Sequence, residues 1–526
     1  MKKIKDTSSL RLTRHAVAGA RAQRWVCRGS VGLVLAVACQ CALAQVMYRI
    51  TPISVPYGCQ PAPVAEGFNA ADQIAATYCN GQGGLHAYLW RNDGNPIVDL
   101  GPSEAQAQSF ATGLNTHGIV TGYAFDSTGQ YAFISAGNGT PMTKIYDTVG
   151  GNRADGSALN DLGQVTGSAD TATGTHAFLW KNNGSPMMDL GTLGGASSYG
   201  YAINAAGQVA GYADTSSGPH AFIWKNNGKP MQDIGTLGGD SSHGTAMNAT
   251  GQVAGTSNLP ASQGTGVHAF FWANNGTPMH DLGTLGGDSS FPNAINQLGQ
   301  VAGYSPTQGS STRPHAFVWM NNGTPIKDLG TFGGHRSKAN DINATGQVVG
   351  WANITGDATS HAFLWRNDGT KIQDLNQLVD PTDPLQPYVT LTEAERVNRR
   401  GDIVASGTDS RSFHQGLYLL HGTVLSLIPR SLAFGSHPVN TTSAAKAVTL
   451  TNTSSKAVTI SSIALAGSAP GQFSFTDNCG SSLAGHASCT LQVKFKPTTK
   501  GAKSASVDVN KGNGGLTSVG LTGTGT

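Results

Sequence analysis

Residues His176–Gly195 read HAFLWKNNGSPMMDLGTLGG. The same wording returns at His220 (HAFIWKNNGKPMQDIGTLGG), His268 (HAFFWANNGTPMHDLGTLGG) and His315 (HAFVWMNNGTPIKDLGTFGG). A shortened copy begins at His361 (HAFLWRNDGTKIQDLNQL) and an early one at His86 (HAYLWRNDGNPIVDLG). Ala-Phe-Leu-Trp is a run of aromatic and aliphatic residues with strand preference. The Asn-Asn-Gly that follows accepts positive φ, and Pro-Met-x-Asp-Leu-Gly is a second short run closed by glycine. One copy is therefore a β-hairpin. Turn chemistry accounts for Asn183 and Asn275, which are formally glycosylation acceptors as well.

Between the hairpins lies a second motif, Ile203-Asn-Ala-Ala-Gly-Gln-Val-Ala-Gly-Tyr212, another strand–turn–strand. Its Asn recurs at 69, 115, 160, 204, 248, 296, 343 and 398, each preceded by an apolar residue. Four short strands in every ~45 residues match the blade of a β-propeller, and glycine density excludes a helical repeat. Eight units over 47–428 suit a seven- or eight-bladed ring, with an open solenoid as the alternative. The isolated piece Tyr48-Arg-Ile-Thr-Pro-Ile is placed to complete the final blade and remove an open edge. The recurring Trp180, Trp224, Trp272 and Trp319 are expected to pack between neighbouring units. Two copies depart from the wording, Tyr131-Ala-Phe-Ile and His414-Gln-Gly-Leu-Tyr.

The HAF motif, the N-x-x-G-Q-V-x-G motif and the DLGTLGG ending together resemble the HAF-repeat family of exported bacterial proteins, over most of 47–428. The resemblance implies export and a repeat architecture, and no particular chemistry.

From 429 the pattern changes, giving an expected last domain of 429–526. Val448-Thr-Leu-Thr-Asn452 alternates, and Leu491, Val493 and Phe495 share one strand face opposite Lys494 and Lys496, as in a β-sandwich. The residues Leu432-x-Phe434-Gly435, Asn478-Cys479-Gly480, Phe495-x-Pro497 and Leu521-Thr-Gly-Thr-Gly resemble the immunoglobulin-like choice-of-anchor D module, related to the abnormal-spindle/hydin-like domains. The expected fold is thus all-β, a propeller followed by an immunoglobulin-like sandwich. In that family a sorting anchor often follows the module; none is expected here after Thr526.

Charge and cysteines bear on compartment. Charged residues are 12% of the chain, about half the usual ~25%. Residues 1–30 hold eight Lys/Arg and one Asp, which leaves −4 of the net +3 for the rest. No basic field for nucleic acid remains. Arg396, Arg399 and Arg400 are the one further cluster, expected on a solvated face. The basic start, the apolar run Val31–Cys39 and Ala42-Leu-Ala44 before Gln45 read as a signal peptide over 1–44, cleaved between Ala44 and Gln45. Past it lie Cys59, Cys79, Cys479 and Cys489, two sequence-local pairs suited to disulfides in an oxidising compartment.

No convergent catalytic set is visible. The recurring His176, His220, His268 and His315 each precede an Asp by thirteen residues (Asp189, Asp233, Asp281 and Asp328), close across a hairpin. Copies spread round a ring cannot meet at one substrate, so a hydrogen bond locking each blade is expected rather than a metal or acid–base site. Asp126, Asp170, Asp214, Asp357 and Asp409 are read as turn caps rather than calcium ligands. Variable loops carrying Asp240, Asp288, His335 and Arg336 are the weak ligand-binding candidates. Glu393 and Glu395, taken to sit in the longest insertion, are the pair that a glycosidase reading would need. The expectation is a non-enzymatic binding, adhesion or scaffold protein without cofactor, its partner a protein or glycan at the cell surface. A carbohydrate-active propeller enzyme is the alternative. Carboxylates converging from outside the repeat would favour that alternative.

Overall fold

One unit shows how the chain folds. Strands Ser198–Ile203, Val209–Asp214, Pro219–Trp224 and Gln232–Gly235 pair antiparallel in that order. The turn after Trp224 has Asn226 at φ 52° and Gly228 at φ 76°, the positive values that Asn-Asn-Gly accommodates. In Gly-Gln-Val-x-Gly the last glycine is required by contact, because a Cβ on Gly211 would lie 1.8 Å from the Tyr199 carbonyl oxygen.

This computed structural model describes residues 47–526 except 54–63, 80–83, 103, 105–106, 128, 146–149, 265, 310–311, 382, 423–424, 430, 453–456, 486 and 512–515. The signal-peptide reading, with Ala44 and Gln45, therefore lies outside the described residues, as does Cys59.

The four-stranded arrangement recurs as blades 1 to 8 at 64–99, 108–145, 150–189, 198–235, 242–281, 291–330, 333–374 and 389–422. Blades 2 and 3 are also linked by one parallel bridge, Arg153 to Gln130. Successive first strands touch all the way round, including the first strands of blades 8 and 1, so they form the inner wall of a closed eight-bladed ring. Blade 8 supplies only three strands itself, and its outermost is Tyr48–Ile53, antiparallel to His414–Gly422. The long spacing before Asn398 serves this closure. Asp383 Oδ2 accepts from Ile50 N at 2.9 Å, and Asp380 N donates to Tyr48 O at 2.8 Å.

Eight separate apolar cores fill the ring, one for each interface between neighbouring blades. In the interface of blades 3 and 4, Ala177 and Leu179 meet Val209, Phe222 and Trp224. The third strand thus sends Ala and Leu to one neighbour, Phe and Trp to the other. This is why His-Ala-Phe-Ile-Trp does not alternate: both faces of the sheet are covered.

After blade 8 the chain forms a β-sandwich. One sheet runs Leu425–Ile428, Lys446–Asn452, Ser488–Phe495, Phe473–Asp477; the other contains Ser431–His437, Leu516–Gly525, Gly501–Lys511 and Val458–Ala466. Leu491, Val493 and Phe495 are fully buried in its core, with Lys494 exposed. Because Leu425–Ile428 pairs with Lys446–Asn452, the module begins upstream of the residue 428/429 boundary read from sequence. Cys479 and Cys489 form a disulfide, and Cys79 is also disulfide-bonded. Among the described residues no helix is long and apolar enough to cross a membrane.

Candidate functional site

Two recurring devices hold the scaffold and are thereby accounted for. Each repeat Asn accepts with Oδ1 from the backbone of its own turn; for Asn204 the donors are Ala206 N and Gln208 N, at 3.1 and 3.0 Å. Its Nδ2 reaches the next blade. The donations run Asn69 to Asn115 O, Asn115 to Asn160 O, Asn160 to Asn204 O and Asn204 to Ala249 O. They continue from Asn248 to Asn296 O, Asn296 to Asn343 O, Asn343 to Asn398 O, and Asn398 back to Asn69 O at 3.5 Å. The motif is a closed hydrogen-bonded hoop. At the interfaces from blades 3/4 to 6/7, Ser198 Oγ accepts from Ala177 N and donates to Gly191 O, with counterparts at Ser242, Ser290 and Ser337. The sequence reading passed over these serines, although each ends a repeated Gly-Gly segment.

The His–Asp pairs are the second device. Nδ1 of His176, His220, His268 and His315 lies 2.9–3.0 Å from a carboxylate oxygen of Asp189, Asp233, Asp281 and Asp328. The same carboxylates cap the following turn through Oδ1, to which Gly191, Gly235, Gly283 and Gly330 N each donate at 2.7 Å. Burial opposes ionisation of Asp281, yet the His268 bond and the Gly283 amide outweigh it and hold the carboxyl below its ordinary range. Blade 2 has Tyr131 and Lys144 in these places, Lys144 lying over the Tyr131 ring at 4.3 Å and paired with Asp126. In blade 8 the equivalent of His is Gly416 rather than His414, since Ala405 pairs with Tyr418. Tyr–Lys and glycine thus stand in blades 2 and 8 where the other blades have His–Asp. Trp224, Trp272 and Trp319 are buried in the interblade cores, and Trp180 packs against one while partly exposed.

The loop candidates do not assemble. Asp240, Asp288, His335 and Arg336 are exposed on three successive blades. Asp240 accepts from Asn258 Nδ2 at 2.7 Å, and His335 is paired with Asp357. Capping holds for Asp409, which accepts from Arg411 N at 2.9 Å.

Departures from the repeat gather instead on the inner wall. Every first strand has a β-bulge three residues before its Asn: Glu66, Thr112, Ser157, Tyr201, Thr245, Asn293, Asn340 and Glu395. Several bulge side chains bond to the next inner strand, Thr112 to Gly156 O at 2.7 Å, Asn293 to Ala339 O at 2.6 Å and Asn340 to Ala394 O at 3.0 Å. Glu395 Oε2 instead accepts from Ala65 N at 2.5 Å across the seam of blades 8 and 1.

Around that seam the wall is acidic. Glu395 is 6% exposed, and burial, reinforced by neighbouring Glu393, pushes its carboxyl up to about 7 against the pull of the Ala65 amide and Arg396. Burial raises Glu66 and Asp341 too, each opposed by Arg396, whose Nη2 is 3.7 Å from Glu66. Asn340 Nδ2 donates to Glu393 Oε1 at 2.7 Å. Tyr88, standing where blades 2 to 7 have Phe, is fully buried, raised by burial and by Glu395, and among the described residues its hydroxyl has no hydrogen-bond partner. Glu393 and Glu395 therefore belong to inner strand Val389–Val397, not to the insertion, and off-repeat carboxylates do converge. Arg396 is half-buried and reaches Glu66, whereas Arg399 and Arg400 are exposed, as a solvated face requires. Arg400 pairs with Asp72 and, at 2.8 Å, with Asp402. Asp72, Asp402 and His421 have the closeness of a metal trio, but this guanidinium already supplies the positive charge. Ring closure brings these groups together from positions over three hundred residues apart, which is why spacing did not reveal them.

Fold and wall together define a closed eight-bladed β-propeller joined to an immunoglobulin-like module. Residues 423–517 match the family described as "Abnormal spindle-like microcephaly-assoc'd, ASPM-SPD-2-Hydin". No curated protein sequence matches the chain. Among solved structures, the chain is similar to the ASH/PapD-like domain of human CEP192, at 18% identity over 20% of this chain and 86% of that one, TM-score 0.15. It is similar to the β-propeller domain of the Trilobed protease from Pyrococcus furiosus, at 10% identity over 64% of this chain and 100% of that one, TM-score 0.39. It is also similar to TolB from Acinetobacter baumannii, at 9% identity over 60% and 80% of the two chains, TM-score 0.28.

Proposed function

We propose that this protein is an exported, non-enzymatic binding or scaffold module that holds a ligand at the inner wall of its propeller. The observation that carries the reading is where the copies stop being copies. Asn, Gly, His, Trp and Asp repeat from blade to blade, whereas the bulges run from Glu66 through Thr112, Tyr201 and Asn293 to Glu395. Residues freed from the repeat on a rigid frame are those available for recognition. The likeness of the repeats to the HAF-repeat family and the disulfides favour export, to the periplasm, the cell surface or beyond. A protein or a glycan is the partner class that fits.

A second reading is kept for one reason. Glu395, raised to about 7 beside Glu393 and Glu66, has the character of a general acid in a carbohydrate-active enzyme. The two readings separate when the full chain is incubated with surface and plant polysaccharides and co-sedimentation and released reducing ends are measured together. Binding without release supports the binding module. Release that disappears in the Glu393→Gln, Glu395→Gln double variant would replace it with the enzyme.

A further inference from the structure

Blades 2, 4 and 6 carry aromatic pairs whose first member stands on an inner-wall strand. Phe110 stacks on Tyr123 in blade 2, with centroids 5.0 Å apart and planes at 17°. Tyr199 stacks on Tyr212 in blade 4 at 4.9 Å and 30°, and Phe291 on Tyr304 in blade 6 at 5.1 Å and 23°. Each pair joins the first strand to the second, and all six rings are partly exposed. Beside them Tyr201 and Phe125 are 41% and 38% exposed.

Packing does not demand these rings. The place of Tyr123, Tyr212 and Tyr304 is filled by Thr77, Ser168, Thr256 and Ser406 in blades 1, 3, 5 and 8, within the same sheet pairing. Two of the pairs also meet a polar group from the following blade: His243 packs edge-on to Tyr212 at 4.4 Å, and Lys338 Nζ lies 5.3 Å over Tyr304. A flat apolar surface with a hydrogen-bonding group at its margin is complementary to a sugar ring, whose C–H face is apolar and whose hydroxyls lie at its edge. Three aromatic stations round one wall suit a ligand that repeats. Glu66 and Glu393 share the wall and oppose a polyanion.

We infer that the inner wall binds a saccharide chain free of acidic groups, with well-separated sugar rings of that chain at Phe110/Tyr123, Tyr199/Tyr212 and Phe291/Tyr304. The inference rests on the binding reading above and gives its ligand a chemical class.

The test is titration calorimetry of the full chain with glucan and chitin oligomers of two, four and six sugars, with an acidic oligosaccharide as comparison. Affinity is expected to rise with length and to be absent for the acidic chain. Tyr123→Ser, Tyr212→Thr and Tyr304→Ser each insert a residue that another blade tolerates at that place. Each should weaken the hexamer about tenfold at unchanged Tm. Tyr212→Leu, which keeps an apolar side chain but no aromatic face, should do the same should the Thr variant lose stability. No heat with any neutral oligomer, or affinity indifferent to all four substitutions, overturns the inference and leaves the binding module open to a protein partner. Oligomer cleavage combined with loss of affinity in the tyrosine variants would instead keep the stations and overturn the non-enzymatic reading.

Discussion

Glu395 holds a carboxylate where burial disfavours its charge, while its Oε2 accepts the Ala65 amide across the seam. Its folded value, about 7 against an ordinary 4.5, means that the folded state binds the extra proton between these limits. Stability from this group is present below pH 4.5 and falls as pH rises through that window, by up to about 3 kcal/mol. Glu395→Gln keeps an acceptor for Ala65 and removes the titration. Its Tm should exceed that of the parent at pH 8, with the difference gone by pH 4.5, as thermal scans at the two values will read. At this scale the sequence was legible where partners lie close along the chain. His268 and Asp281 are thirteen residues apart and meet as expected. Glu395 and Ala65 are 330 apart, and Tyr88 differs from Phe by one hydroxyl whose surroundings only the closed ring creates.

Among elements, the third strand of each blade carries most of the packing. Phe222 is fully buried between blades 3 and 4, beside Leu179 and Val209. Phe222→Ala should lower unfolding free energy by about 3–5 kcal/mol. Trp180→Ala should cost less, because that ring is part-exposed and fills less of its core. Urea titration of the two variants orders them. The hairpins and the four-strand unit could be read from Asn-Asn-Gly turns and the recurring Asn. The bulges could not, since a bulge exists only relative to the strand opposite: Tyr201 looks like any strand residue until Gly200 and Ala202 are seen paired with Gly211 and Ala210. Leu425–Ile428 was assigned to the repeat for a similar reason, as its apolar pattern does not say which sheet it joins.

For the whole molecule, closure is the decisive feature, and the Tyr48–Ile53 strand was legible as a missing outer strand. Eight units suit a ring of seven or eight blades; the Tyr131 and His414 copies, although they lack the signature residues, both belong to blades, and the ring has eight. Closure makes one interface unlike the rest. Ile53 is buried in the core that blades 8 and 1 share, beside Ile74, Val404 and Leu419. Ile53→Asp would place an unpaired carboxylate there and should cost on the order of 3 kcal/mol or more. Hydrogen exchange should quicken first in blades 8 and 1, with the sandwich strands unchanged; uniform quickening of all eight blades would mean that the seam is no weaker than the other interfaces.

The same closing strand sets how the ring answers to tension. Tyr48 pairs with Gly422 and Ile53 with Leu417, so the entry of one strand and the exit of the other lie side by side at the same end of the ladder. A pull separating Tyr48 from Gly422 is borne by one rung at a time, as in a zipper, rather than by the whole ladder in shear. Stretched across these two points, the ring opens at blade 8 under small force, while each of the other seven blades, built from consecutive strands, is spared the load until that clasp has parted.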